Sequence, residues 1–201
     1  MTVRRLLRDR SASSAAEFAL VLPLLIVLLL GIIDAGRFMW EYNRAEKATA
    51  EGARIAVVTD ALSGGLQSAG YVGVGGLTQG DLIPASALGK IRCTNTACTC
   101  QTTPCPTLGT FDTNGVFASV ILPRMQMMKD GIAATNVRIE YSGSGLGYAG
   151  DPNGMEVSPL VTVSLTGLQF RPLILFGMTN VNLPDFSTTL TAEDSAGSQS
   201  N

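Results

Sequence analysis

Residues 18–33 read Phe-Ala-Leu-Val-Leu-Pro-Leu-Leu-Ile-Val-Leu-Leu-Leu-Gly-Ile-Ile, sixteen residues with no charge and no hydrogen-bonding side chain. As a helix the run covers about 24 Å, and the hydrocarbon core of a bilayer is about 30 Å thick. Ala15 and Ala16 before it, and Ala35 and Gly36 after it, supply the remaining turns. The reading is a membrane-spanning helix over about residues 16–36, with Glu17 and Asp34 at its two edges. An acidic side chain costs about 2.5–3.5 kcal/mol at the membrane centre and less near the edge. Pro23 removes one backbone donor, which membrane helices tolerate, often with a kink.

Residues 1–12 hold Arg4, Arg5, Arg8 and Arg10 against one acidic residue, Asp9. The positive-inside rule puts that end in the cytoplasm and everything after about residue 37 outside. A cleaved secretory signal is the competing reading. Its apolar region would be long, and the best cleavage candidate, Ile33-Asp34-Ala35, has a bulky Ile where a small residue is wanted.

After the run the pattern changes. Phe38, Tyr42, Ala45, Ala48/Thr49, Gly52 and Ile55/Ala56 recur at three and four, one apolar stripe on an amphipathic helix. Residues 13–58 therefore read as one long helix, within a block that ends at residue 60. Glu41 and Arg44, and Glu51 and Arg54, stand three apart and can meet on its surface. The stripe needs a partner, either the rest of the chain or a neighbouring copy.

Residues 61–201 have the length of one small domain. They carry six basic against nine acidic residues, a charge of −3, within a chain of net charge −2. No basic patch is present to hold phosphates, which argues against nucleic acid. The chain has no histidine, so the commonest general base and nitrogen ligand are missing, and serine or cysteine triads of the usual kind cannot be built.

Residues 61–90 contain eight glycines and no strong period, and are expected to form a flexible surface loop. The run from Gly73 fails the phosphate-binding Gly-x-Gly-x-x-Gly pattern, because its sixth residue is Thr78. A short helix is predicted from about Pro123, with Val116, Val120, Met127, Met128 and Ile132 as the apolar positions around it. Three strands are predicted, at Asn136–Ser142, Leu160–Gly167 and Asp185–Ala192, each alternating apolar with polar and separated by Gly/Pro/Asn clusters. The fold class is α+β: a long N-terminal helix, then a small antiparallel sheet covered by helix. The tail Glu193–Asn201 is expected to fray. Asp112-Thr-Asn-Gly115 and Asp151-Pro-Asn-Gly154 start like calcium loops but lack the later carboxylate, so they read as turns.

All four cysteines, Cys93, Cys98, Cys100 and Cys105, fall within thirteen residues. Their spacing fits neither a zinc ribbon nor a plant-type iron–sulfur site. Outside the cytoplasm disulfides persist, so two disulfides in one stapled loop are expected and no metal or cofactor. A Cys98–Cys100 bond would close a strained ring. That leaves an adjacent pairing (93–98 with 100–105) or a crossed one (93–100 with 98–105), of which the adjacent is favoured.

Three blocks carry a resemblance: Ser14-Ala-Ala-Glu-Phe-Ala-Leu-Val-Leu-Pro-Leu-Leu, then Gly31-Ile-Ile-Asp-Ala-Gly-Arg37, then Ala50-Glu-Gly-Ala-Arg54. In order and spacing they resemble the TadE-like family, minor pilins (pseudopilins) of the bacterial tight-adherence system that builds Flp-type pili. The resemblance implies a non-enzymatic pilin or assembly factor in the inner membrane, with other pilins and tight-adherence assembly proteins as partners. It implies removal of the leader 1–12 by a prepilin peptidase between Ala12 and Ser13, with Ala12 where Gly is usual. It also implies an assembly role for Glu17, whose carboxylate would pair with the α-amine that cleavage creates on a neighbouring copy. The alternative is a single-span anchored binding or sensor module unrelated to pili. An envelope enzyme ranks behind both, since no acid pair stands at motif spacing.

Overall fold

The computed structural model of the chain describes residues 10–173 and 180–192, with side chains from residue 14 onward. The leader arginines Arg4, Arg5 and Arg8, the side chains of Ala12 and Ser13, and the tail Glu193–Asn201 lie outside the described residues.

Helix α1 runs Arg10–Ala56, without a break at Pro23. Leu and Ala favour helix, and the two Gly of its first forty residues, Gly31 and Gly36, do not interrupt it. By contact the chain divides into two compact units, Met1–Glu41 with Gln169–Val181, and Tyr42–Leu168 with Asn182–Asn201.

The second unit is built on a five-stranded antiparallel sheet. In chain order its strands are β1 (Lys90–Cys93), β2 (Cys98–Thr102), β3 (Val137–Ser142), β4 (Leu160–Leu165) and β7 (Phe186–Thr191). Their spatial order is β2-β1-β3-β4-β7. The three predicted strands are β3, β4 and β7. Register follows the alternation. Ile139 faces Val163 and Cys93 in its neighbours, and Tyr141 faces Val161 and Ile91. These six residues are buried on one face, while Arg138, Glu140, Thr162 and Ser164 take the other.

The C-terminal part of α1 covers the buried face. Ala45, Ala48 and Thr49 have no exposed surface. Tyr42 meets Phe186 edge to face at 4.9 Å, and the Thr188 hydroxyl lies 3.3 Å from that of Thr49. The predicted stripe thus packs on the chain's own sheet. Gly52 is where a second helix crosses: a Cβ there would stand 2.7 Å from the sulfur of Met125. Met125 belongs to α3 (Leu122–Met128), which carries Pro123 in its first turn as predicted. A π-helical turn, Phe117–Ile121, leads into it. The buried positions are Val116, Phe117, Ile121 and Met125. Met127 and Met128, picked from the sequence as apolar positions, are exposed. The wide turn rotates the helix, so the i, i+4 row from Phe117 faces inward.

Residues 61–90 are not the flexible surface loop that their glycines suggest. Leu62, Leu66 and Ile83 are fully buried, and Tyr71 and Leu88 nearly so. The short helix α2 (Gly64–Gln67) is capped by the Ser63 hydroxyl, which accepts from Leu66 N–H. Gly64 and Gly65 donate to the carbonyls of Thr110 and Leu108 at 3.0 and 2.9 Å. Here glycine permits close backbone approach rather than looseness: a Cβ on Gly65 would lie 1.6 Å from the Thr107 carbonyl oxygen. The largely exposed part is the stretch of residues 72–86, in which Leu77 is half-buried and Ile83 alone is drawn fully into the core.

The stapled cysteine segment is a hairpin of the sheet, formed by β1 and β2. Cys93 and Cys98 face each other across β1 and β2, and Cys93 is fully buried. The two aspartate-led motifs are turns. Asp112 accepts from Phe117 N–H at 3.0 Å, and Asp151 from Asn153 N–H at 2.9 Å.

A separate two-stranded ribbon pairs β5 (Gln169–Phe170) with β6 (Val181–Asn182).

Candidate membrane anchor and assembly site

The first half of α1 is apolar on every side. A helix of that kind is stable only inside a protein core or in lipid. Here every residue from 14 to 29 is exposed; Leu20 shows 80% of its surface and Phe18 63%. Among the described residues, this is the one helix long and apolar enough to cross a membrane, and none of its apolar window is buried. Its backbone polar groups are satisfied within the helix, as hydrocarbon requires.

Glu17 stands on the first exposed turns of this helix, one turn beyond the backbone of Ser13, and is itself exposed. Ala12 and Ser13 lie in helical backbone. Glu17 is in the first compact unit and the four cysteines are in the second.

At the other end of the run, Asp34 is almost completely buried. Both its oxygens accept the backbone N–H of Leu173 at 2.8 Å, and Arg37 Nη1 donates to it at 3.2 Å. Arg37 also lies over the Phe170 ring, 5.4 Å from its centroid, and Phe38 meets the same ring edge to face at 5.5 Å. Residues 169–173 are thus fastened onto the turn of α1 that follows the apolar run. The sequence marks Asp34 as a carboxylate beside apolar residues. Its partner stands 139 positions away, so no local signal could have named it.

Trp40 follows, 66% exposed, where amphipathic rings collect at a membrane–water interface. Further along, Arg44 donates to the Met128 carbonyl at 2.9 Å and meets Asp130 at 3.1 Å. These two contacts tie the helix to the end of α3 and the turn after it.

In the β1–β2 hairpin the disulfides are Cys93–Cys98 and Cys100–Cys105, the adjacent pairing. Beside them, Glu140 on β3 takes a hydrogen bond from Arg92 Nε at 2.6 Å and an ion pair from Lys90 at 3.5 Å. Burial pushes the Glu140 carboxyl up, but the Arg92 hydrogen bond and the charges of Lys90 and Arg92 together hold it below the ordinary carboxylate range. Asp81 is also held low, by hydrogen bonds from the Thr78 hydroxyl and backbone. Burial pushes the Tyr141 phenol up; its oxygen accepts Leu62 N–H at 3.1 Å. Burial and the charge of Glu156 do the same to Tyr71. No arrangement of nucleophile and base emerges from these groups.

Comparison with known families places the model described as TadE-like protein on residues 12–54, a segment wholly within α1. No curated protein and no solved structure matches the chain.

Proposed function

With residues 12–54 taken as a TadE-like segment, we propose that the protein is a non-enzymatic minor pilin or pilus-assembly factor of a tight-adherence pilus. The segment by itself implies association with the Tad pilus. The finer role rests on one observation: a helix apolar on all sides, exposed over residues 14–29, with a carboxylate at its start. Such a helix is stable in lipid or among like helices, and a pilin uses both environments in turn. In this reading about residues 16–36 anchor the chain in the inner membrane, residues 1–12 face the cytoplasm, and residues 61–201 lie outside.

Cleavage between Ala12 and Ser13 by a prepilin peptidase would remove all four leader arginines and leave an α-amine at Ser13. A carboxylate in the apolar zone is stabilised by a cationic partner. The amine of a neighbouring copy, staggered along a helical assembly, supplies one to Glu17.

The test uses Glu17→Gln and Glu17→Ala in a piliated strain. Insertion and abundance should stay normal, because neutral side chains enter hydrocarbon at lower cost. Crosslinking to other pilins and piliation should fall. Intact mass should show loss of Met1–Ala12. Wild-type crosslinking and piliation in both variants, at unchanged protein level, would sink the assembly role of Glu17 and favour a single-span anchored binding module.

A further inference from the structure

Two arginines flank one cleft where α1 leaves its apolar run. Arg37, Arg171, Pro172 and Leu173 line a cavity of about 280 Å³, and all four belong to the same compact unit. Arg37 directly follows Gly36, the last residue of the proposed span. The interfacial layer of a bilayer adds about 5–7 Å to the hydrocarbon on each side. With the span at about residues 16–36, the Arg37 backbone stands at the hydrocarbon edge, and its long side chain carries the guanidinium outward to the level of the lipid phosphates.

The charge of the cleft follows from its contacts. Asp34 takes one N–H of the Arg37 guanidinium, out of the five such donors an arginine carries. Phe170 supports the plane of the same group. These two contacts orient Arg37 while its side chain stays 45% exposed. Asp34 is closed to an outside cation, since both its oxygens already hold the Leu173 N–H and little of its surface is exposed. Arg171 follows Phe170 directly and is exposed. Among the described residues, Asp34 compensates the Arg37 guanidinium and no carboxylate is paired with Arg171, which leaves one net positive charge. The walls, Pro172 and Leu173, are apolar. In sequence, residues 172–178 (Pro-Leu-Ile-Leu-Phe-Gly-Met) carry no polar side chain.

We propose that this cleft binds the phosphodiester headgroup of a net-anionic phospholipid, with Arg37 and Arg171 on the phosphate and Pro172 and Leu173 against the start of an acyl chain. Guanidinium forks suit phosphate oxygens. A zwitterionic lipid brings an ammonium for which the cleft has no open carboxylate, so the site discriminates between the two headgroup classes. The proposal rests on the membrane-anchored reading. A soluble phosphate ester shares the headgroup chemistry but has no acyl chain for the apolar walls.

Trp40 is the chain's only tryptophan and stands one helical turn beyond Arg37, which makes it the reporter. The full chain is reconstituted in phosphatidylcholine vesicles containing a minority of acyl-brominated lipid, either phosphatidylglycerol or phosphatidylcholine. Trp40 quenching is then compared at equal bromine content. One uncompensated basic residue near a membrane surface enriches an anionic lipid about fivefold, so brominated phosphatidylglycerol should quench more strongly by a factor of that order. Arg171→Gln should lose most of the preference, and Arg37→Gln with Arg171→Gln should abolish it. Both variants should keep ordinary quenching by brominated phosphatidylcholine, which shows that they are folded and inserted. Arg124→Gln, an exposed change on α3, should retain the preference. Equal quenching by both lipids in the wild-type chain would overturn the lipid site and leave the anchor intact. Quenching by neither lipid would overturn the anchored reading and the site with it. Loss of the preference on adding glycerol phosphate, but not sodium chloride of equal ionic strength, would assign the cleft to a soluble ester and overturn the lipid proposal.

Discussion

Glu140 sits between two cations on the open face of the sheet, and its behaviour with pH follows from that position. Its carboxyl is held below its ordinary value in the folded chain. As pH falls, the unfolded chain takes up this proton first, so the pair's contribution is complete above the ordinary carboxylate pKa and is lost as pH falls through the lower folded one. Lys90 and Arg92 are 47% and 38% exposed, so solvent screens the pair. Glu140→Gln should cost about 0.2–1 kcal/mol at neutral pH. Urea unfolding of wild type and variant should converge as pH falls below the ordinary carboxylate value; a gap that persists there would mean packing rather than charge. Gly65 makes a larger demand. Its missing side chain leaves room for the Thr107 carbonyl, and Gly65→Ala should lose stability at the upper end of about 1–3 kcal/mol, read as a lower urea midpoint. From the sequence, Gly64-Gly65 fell within a stretch expected to form a flexible surface loop. A glycine needed for conformational freedom and one needed for contact are written with the same letter, and only the neighbour 42 positions on separates them.

The strands differ in how openly they announce themselves. β3, β4 and β7 are legible because each buries one face and wets the other, so Val137, Ile139 and Tyr141 alternate with Arg138 and Glu140. The β1–β2 hairpin is hidden. Cys and Thr occupy most of it, only Ile91 and Cys93 are buried on β1, and β2 is almost wholly exposed. The clustered cysteines showed that the segment is stapled, but not that the staple lies across a sheet edge. That geometry predicts an order of reduction. Cys93 has no exposed surface, whereas Cys100 is exposed and Cys105 half-buried. A graded thiol titration with alkylation and mass mapping should label Cys100 and Cys105 first and Cys93 last. Each bond closes a short loop, and a Ser pair in place of either should cost about 2 kcal/mol. Simultaneous labelling of all four would show that the hairpin opens as one unit. Helix α1 is the most legible element. The point where its apolar run gives way to a stripe is written at Asp34–Phe38, but Leu173 and Phe170, which dock there, are not readable from any period.

For the whole chain, the testable statement is its direction across the membrane. A reporter active only in the cytoplasm, fused after Asn201, should be silent in intact cells, and one active only outside should work. Full cytoplasmic activity would reverse the orientation read from the leader arginines. Four groups with shifted pKa among the described residues belong to the body that this orientation would put outside. Glu140 and Asp81 keep their charge further into acid than usual, and Tyr71 and Tyr141 keep their protons further into alkali. All four move away from neutrality, and the chain has no histidine to fill the interval between them. Outside the cytoplasm a cell does not buffer its surroundings, so a surface appendage takes on the acidity of whatever medium it enters. At these positions the chain answers such a swing with constant charge. In the proposed assembly, copies that fit together in one medium would then repel each other no more in the next.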